Sequence, residues 1–219
     1  MINFGVIVSA RTKSKRLPAK CFLPLYDDPS IVHLLKSIQS SSYRIYLATT
    51  ESESDDILTQ EISKLGFEVF RGSENNVALR LLTVAKKNGL DYIGRVTGDC
   101  PFVNSNFINY CIQETREFAE FDLVTTKGMT PKGIDIEIIK TTTLEEAINC
   151  GLTVYDQEHV TSFIYRNASK YVIKYIGQNY PRNKEIDSFL LDDINDYLKL
   201  IKISKMGKNY DEIIKNAQA

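Results

Sequence analysis

Residues 2–20 read INFGVIVSARTKSKRLPAK, and the reading of this stretch decides the fold. Ile2 to Val8 is a nearly continuous apolar run, the pattern of a strand buried on both faces, as in a parallel sheet. Residues 11–20 then carry Arg11, Lys13, Lys15, Arg16 and Lys20 with no acidic residue among them. Ligands of open α/β sheets bind beyond the carboxyl ends of the strands. A basic loop at that place predicts a phosphate clamp, because Arg grips phosphate oxygens in pairs and Lys supplies a compact charge. The competing reading is a solvated surface run, which describes most charge runs; the position directly after the first strand favours phosphate. There is no GxxxxGK[ST], which excludes an ATPase-type P-loop, and no GxGxxG to support a dinucleotide site.

Outward from this stretch, strand and helix patterns alternate. Ile31, Leu34, Leu35 and Ile38 fall at helical spacing, and Arg44 to Thr49 is strand-like. Ser54 or Asp55 is placed to cap a helix carrying Ile57, Leu58, Ile62 and Leu65 and ended by Gly66. Phe67 to Phe70 reads as a strand, Val77 to Lys87 as a helix stopped by Gly89, Asp91 to Thr97 as a strand, and Asn104 to Phe118 as a helix. Further strands are expected at Phe121 to Thr126, Ile134 to Ile139, Tyr171 to Ile176 and Ser188 to Leu191. Helices are expected at Leu144 to Cys150, Glu158 to Asn167, Asn195 to Lys205 and Tyr210 to Ala217. This order predicts an α/β fold of three layers, α/β/α, with a mostly parallel Rossmann-like sheet. A length of 219 residues suits one domain, 1–219, with a shared core.

The net charge of −1 gives no global field for nucleic acid or a membrane, so an anionic ligand must be held by local charge. The N-terminal apolar run is short and is followed by basic residues, the reverse of a signal peptide. No run approaches the roughly 18–20 apolar residues of a membrane span. Cys21, Cys100, Cys111 and Cys150 form no CxxC pair, which argues against zinc and dithiol chemistry. Four reduced thiols in a cytoplasmic protein are the expectation.

Acidic residues fall where strands should end: Asp99 in GDCP, Asp135 and Glu137 in GIDIE, and Asp192 and Asp193 in LLDDINDY. Carboxylates so placed could converge on one Mg²⁺, which takes one or two of them with phosphate oxygens and water. Each has a plainer alternative. Asp192 or Asp193 could cap the last long helix, and Asp99 could be a turn former before Pro101. His159, in DQEHVT, could be a general base, an acceptor contact or structural; His33, inside an apolar helix, reads as structural.

Residues 10–20, ARTKSKRLPAK, resemble the AR-x-x-S-x-RLP-x-K signature of the cytidylyltransferases that include the spore coat polysaccharide biosynthesis protein F family. CMP-Kdo and CMP-sialic acid synthetases are more distant. The resemblance continues in order through ATT at 48–50, FRGSE at 70–74, RVTGDCP at 95–101, GIDIE at 133–137, EHVT at 158–161 and LDDINDY at 191–197. It implies a fold like that of the nucleotide-diphospho-sugar transferases, the type A glycosyltransferases. It also implies transfer of CMP from CTP, with Mg²⁺, to a small sugar-acid, sugar or phosphorylated acceptor, releasing pyrophosphate, in surface polysaccharide or glycoconjugate synthesis.

By the same resemblance Ala10, Arg11, Ser14, Arg16, Lys20, Thr49, Gly72, Arg80 and Asp99 lie on the nucleotide, with Arg11 and Lys20 catalytic. Asp99 and Asp192 hold the metal, and Asp135, Glu137, Glu158 and His159 face the acceptor. The implied partners are CTP and a small acceptor, with no nucleic acid and no membrane; the oligomeric state stays open, a homodimer included. Two departures stand out. The family's Asp-Val-Leu-x-Arg-Tyr run is Asn76-Val77-Ala78-Leu79-Arg80-Leu81 here, and its Thr-Pro-Glu after the late aspartate is Asp193-Ile194-Asn195. Two rivals remain: a glycosyltransferase using a nucleotide sugar, and a regulator that binds nucleotide without catalysis. The density of positive charge near the first strand favours a triphosphate over a diphosphate sugar. A regulator would be expected to lose Lys20, Asp99 or Asp192, and all three are present.

Overall fold

In the computed structural model, which describes residues 2–183 and 185–217, the opening apolar run forms β1 (Phe4–Ser9). It lies between two parallel neighbours, β4 (Arg44–Thr50) and β6 (Tyr92–Thr97). Between β1 and β4 come a two-strand ladder, β2 (Pro24–Leu25) with β3 (Asp28–Pro29), and helix α1 (Ser30–Ser37). Next are α2 (Asp56–Lys64), β5 (Glu68–Gly72) and α3 (Val77–Lys87), and after β6 comes α4 (Ser105–Thr115). The second half adds β7 (Leu123–Thr125), β8 (Glu137–Lys140), α5 (Thr141–Asn149), α6 (Val154–Glu158), α7 (Ser162–Arg166), β9 (Ile173–Tyr175), α8 (Ile194–Ile203) and α9 (Tyr210–Ala217). Among the described residues the main sheet has seven strands in the order β5-β4-β1-β6-β8-β7-β9, and of these β8 alone runs against its neighbours β6 and β7.

The three layers follow from the alternation of side chains along the central strands. Val6 and Val8 of β1 join one buried cluster, with Ile31 and Leu35 of α1, Leu58 and Ile62 of α2, Phe107 of α4 and Ile213 of α9. Ile7 turns to the other face, with Leu81 and Ala85 of α3, Leu144 of α5 and Ile164 of α7. His33 sits in the first layer between the rings of Tyr26 and Phe102, where burial pulls its pKa down. It is a packed ring, as its apolar helix suggests.

Four expectations need correction. The helix expected over Glu158 to Asn167 is only the short α7 (Ser162–Arg166), and a separate α6 ends at Glu158. Asp156 is fully buried; it closes a capping box with Thr153 and also accepts from Ser162 and Arg166. Those bonds fold α7 back on α6, and the break falls at His159. The strand expected over Ser188 to Leu191 is a single bridge, Lys132 to Ser188; Phe189 and Leu191 are apolar because they are buried in the first layer. Ile57 and Leu65 are 57% and 46% exposed, leaving Leu58 and Ile62 to seat α2. Asp55 does precede α2, but its side chain makes no cap bond there.

Candidate active site

Two close backbone approaches bring the site together. A Cβ on Gly98 would lie 2.7 Å from that of Ala10, so only glycine lets the β6 turn lie against the start of the basic loop. Gly133 has φ 82, and a Cβ there would lie 2.4 Å from the amide nitrogen of Leu190. The GIDIE segment can therefore press on the chain that leads to Asp192. That chain is tied down in turn, because the Leu191 N–H donates to the Asp99 carbonyl at 2.8 Å.

The result is a convergence on Lys20. Its Nζ donates to Asp99 Oδ2 at 2.8 Å, to the Leu191 carbonyl at 2.9 Å and to Asp192 Oδ1 at 3.2 Å. Burial works against the ammonium, but the two carboxylates outweigh it and hold the amine above its ordinary pKa. Burial likewise opposes the charge on Asp99, and Lys20 with Thr97 overcomes it, leaving Asp99 below the usual carboxylate range. Thr97 Oγ1 donates to Asp99 Oδ1 at 2.5 Å. Arg16 pairs with the other oxygen of Asp192.

The helix-cap alternative resolves between the neighbouring aspartates. Asp193 is the cap of α8, in a box with Asp196, and the Asp192 side chain is left to Lys20 and Arg16.

The remaining loop residues fan outward. The Ala10 N–H donates to the Ala48 carbonyl, keeping the loop at the sheet edge. Arg11 reaches Glu158 at 3.2 Å and the Glu74 carbonyl at 3.5 Å, so EHVT and RGSE meet on one guanidinium. Ser14 is partly buried on the loop. Arg80 is 4% exposed and donates to the Ser73 carbonyl; burial, helped by Arg11, lowers its pKa to about 10. Its stem fills the space a side chain on Gly72 would need. Thr49 is fully buried, and its hydroxyl donates to Asp55.

Beside this convergence lies a cleft of about 450 Å³, lined among others by Arg95, Thr97, Asp135, Tyr155, His159 and Tyr165. Its wall is a closed network about Glu137. One carboxylate oxygen accepts from Thr161 and Tyr165 at 2.8 and 2.9 Å, and the other from Arg95 at 2.6 Å. Glu137 is 6% exposed, so its structural work is to fix those three side chains. His159 is exposed and lies against Tyr155, ring centres 4.2 Å apart and planes tilted by 39°. The sequence offers Arg95 and Tyr165 no site role, and Asp55 only that of a helix cap. Arg95 lies inside the RVTGDCP motif, which was the available signal; Tyr165 and Asp55 carry none.

Asp135 is the acidic group of the cleft whose charge is least compensated. It accepts from the Gly133 N–H at 2.9 Å, and burial pushes its pKa up to about 6 from 3.8. Between those values the folded chain binds a proton that the unfolded chain has released, so stability falls as pH rises from about 4 to about 6. Asp135→Asn removes that fall. The variant is expected to be more stable than the unaltered chain by on the order of 2 kcal/mol above pH 7 and equal to it near pH 4. Urea unfolding at the two pH values checks this, and a stability gap independent of pH would contradict it.

A model of the cytidylyltransferase family, described as Cytidylyltransferase, matches residues 5–218. The chain belongs to the cytidylyltransferase family. As a member it is a nucleotidyltransferase. It is 32% identical to the spore coat polysaccharide biosynthesis protein SpsF of Bacillus subtilis, over 78% of this chain and 73% of that one. An uncharacterized protein, MJ1063, of Methanocaldococcus jannaschii is 31% identical over 91% of this chain and 82% of its own. A cytidylyltransferase structure from Leptospira borgpetersenii superposes with a TM-score of 0.88 at 27% identity, covering 100% of this chain and 93% of that one. A CMP:2-keto-3-deoxy-manno-octonic acid synthetase complexed with CTP shares the fold, with a TM-score of 0.68 at 15% identity over 93% of this chain and 98% of that one.

The family's Asp-to-Asn change at Asn76 has a physical account. Asn76 caps α3, accepting from the Leu79 N–H at 2.8 Å, and Asn caps a helix about as well as Asp. Leu81, in place of the family's Tyr, is fully buried against the sheet.

Among the described residues no group of three His, Cys, Asp or Glu is placed to hold a metal, and no helix is long and apolar enough to cross a membrane.

Proposed function

We propose that this chain transfers CMP from CTP to an oxygen of a small sugar-acid, sugar or phosphorylated acceptor and releases pyrophosphate, in the making of a surface polysaccharide or glycoconjugate precursor. The observation that carries the reading is the convergence of Asp99, Asp192 and the Leu191 carbonyl on Lys20 Nζ, at the foot of the basic loop and beside a cleft of sugar size. Lys20 offsets charge developing around the α-phosphate, and Arg11 and Arg16 hold the leaving pyrophosphate. The acceptor oxygen attacks the α-phosphorus as the bond to pyrophosphate breaks. Asp135, in the cleft, is placed to take the proton the acceptor hydroxyl gives up.

Two hard carboxylates already gathered on one cation suit Mg²⁺, which needs no third protein ligand when phosphate oxygens and water complete its shell. Asp99 and Asp192 would hold it, and it would supply charge neutralisation and alignment of the triphosphate. The name of the spore coat relative supports the polysaccharide setting.

Thermal denaturation tests the donor. CTP with Mg²⁺ at millimolar concentration is expected to raise the melting temperature more than CTP with a chelator, since ligand bound to the native state stabilises it by mass action. No shift with any nucleoside triphosphate would end the nucleotide reading. A shift with GTP or UTP and none with CTP would end the base assignment alone.

A further inference from the structure

The basic loop must hold its shape while carrying five like charges, and one buried group is built to hold it. Asp55 is fully buried and meets no cation within salt-bridge distance among the described residues. Its Oδ1 accepts from the Thr12 N–H at 2.7 Å and from the Thr12 hydroxyl at 2.5 Å. Its Oδ2 accepts from the Thr49 hydroxyl at 3.0 Å, the Thr50 N–H at 3.1 Å and the Thr50 hydroxyl. One carboxylate thus bonds the second residue of the basic loop to the carboxyl end of β4.

The tie continues from Thr12 to the catalytic end of the loop. The Thr12 carbonyl accepts from the Ala19 N–H at 2.9 Å, closing residues 12–19 into a ring that delivers Lys20. Ala19 has φ 55, a left-handed conformation that an alanine keeps only where its surroundings fix it. The Thr12 hydroxyl also lies 2.9 Å from the Ser54 carbonyl, a second acceptor for its single proton, so the Thr12 N–H and hydroxyl are both spent on residues 54–55. Burial by itself would raise the Asp55 carboxyl; the Thr12 and Thr50 hydroxyls and the Thr12 amide outweigh it and leave the group below its ordinary pKa. A buried charge neutralised only by neutral donors is costly to keep. A helix cap would not need it, and the side chain caps nothing.

We propose that Asp55 is the positioning residue of the triphosphate site: through Thr12 it sets the loop in the shape that presents Arg11, Arg16 and Lys20 to phosphate. The proposal rests on the nucleotidyl-transfer reading above. It acts through the loop, with no contact to substrate.

Binding of tripolyphosphate and of CTP with Mg²⁺, measured by calorimetry, tests it on Thr12→Val, Thr12→Ser and Asp55→Asn. Thr12→Val keeps the backbone N–H and the volume and loses the hydroxyl's hold on residues 54–55. It is expected to weaken both ligands about tenfold or more while the melting temperature of the free protein stays within a few degrees. Thr12→Ser keeps the hydroxyl and should recover most of the affinity, a rescue that a purely structural role would not produce in binding. Asp55→Asn can still accept from the Thr12 N–H but leaves the Thr50 N–H without an acceptor, so it should fall between the two. Unchanged affinities in Thr12→Val and Asp55→Asn overturn the proposal, as does a melting temperature that falls in Thr12→Val while affinity is kept. If the unaltered chain binds neither ligand, the nucleotide reading fails first and the proposal fails with it.

Discussion

Lys20→Ala is expected to lower turnover by about 10²–10³-fold, the loss that follows removal of one donor aimed at charge developing in a transition state. The geometry adds a second, separable effect. Lys20 is 16% exposed and neutralises Asp99 and Asp192 at once. Without it, the two carboxylates keep Arg16, on Asp192, as their one ion-pair partner among the described residues. Their repulsion should cost stability wherever both are ionised, so the stability loss is expected to be larger at pH 8 than in acid. Mg²⁺ should recover part of that stability and none of the turnover.

Lys20→Arg is not a conservative repair, since a planar fork does not replace a point donor to three converging acceptors. Lys13→Ala serves as the control: Lys13 is 59% exposed and lies 3.7 Å from Glu74, a surface pair worth little. Equal effects from Lys13→Ala and Lys20→Ala on turnover would mean that the loop acts as a diffuse field.

The parts of this site that were legible in the sequence are those whose chemistry is local to a motif. The apolar run at residues 2–8 names a buried strand, and the absence of acids across residues 11–20 names the basic loop. The acids at 99 and 192 fall after apolar stretches and so at chain reversals. What could not be read is what depends on long-range closure. Asp55 sits in Ser-Glu-Ser-Asp-Asp, a run that looks like a helix start; only the fold shows its carboxylate turned back 43 residues in sequence to Thr12. Glu137 looks like one more acid of a ligand site, and it does line the cleft; only the fold shows that it also holds Arg95, Thr161 and Tyr165. The apolar pattern at 188–191 was real, but burial beneath neighbouring segments gives the same pattern as a paired strand. Asp192 and Asp193 were indistinguishable as letters, because either could reach the first turn of α8.

That last ambiguity is where substitution by Asn separates roles most sharply. Asp193 Oδ1 accepts from the Asn195 and Asp196 N–H groups at 2.8 and 3.0 Å, and Asp196 answers with bonds to the Asp192 and Asp193 N–H groups at 3.0 and 3.2 Å. Asn can accept the same bonds, so Asp193→Asn should change stability by no more than about 0.5 kcal/mol and leave turnover near that of the unaltered chain. Asp192→Asn keeps size and backbone bonds but removes the negative charge that Lys20 and Arg16 share. It should fold with near-native stability, because its neighbour still caps the helix. Turnover is expected to fall by at least about 100-fold, since the loss disorganises the donor aimed at the phosphate and weakens a hard cation's site. Asp99→Asn should behave like Asp192→Asn. The readout independent of turnover is the extra thermal shift that Mg²⁺ adds to CTP: present in the unaltered chain and in Asp193→Asn, absent in Asp192→Asn and Asp99→Asn. If Asp192→Asn keeps both its turnover and that shift, Asp192 is only a counter-charge for Lys20, and the assignment of a metal to this pair is wrong.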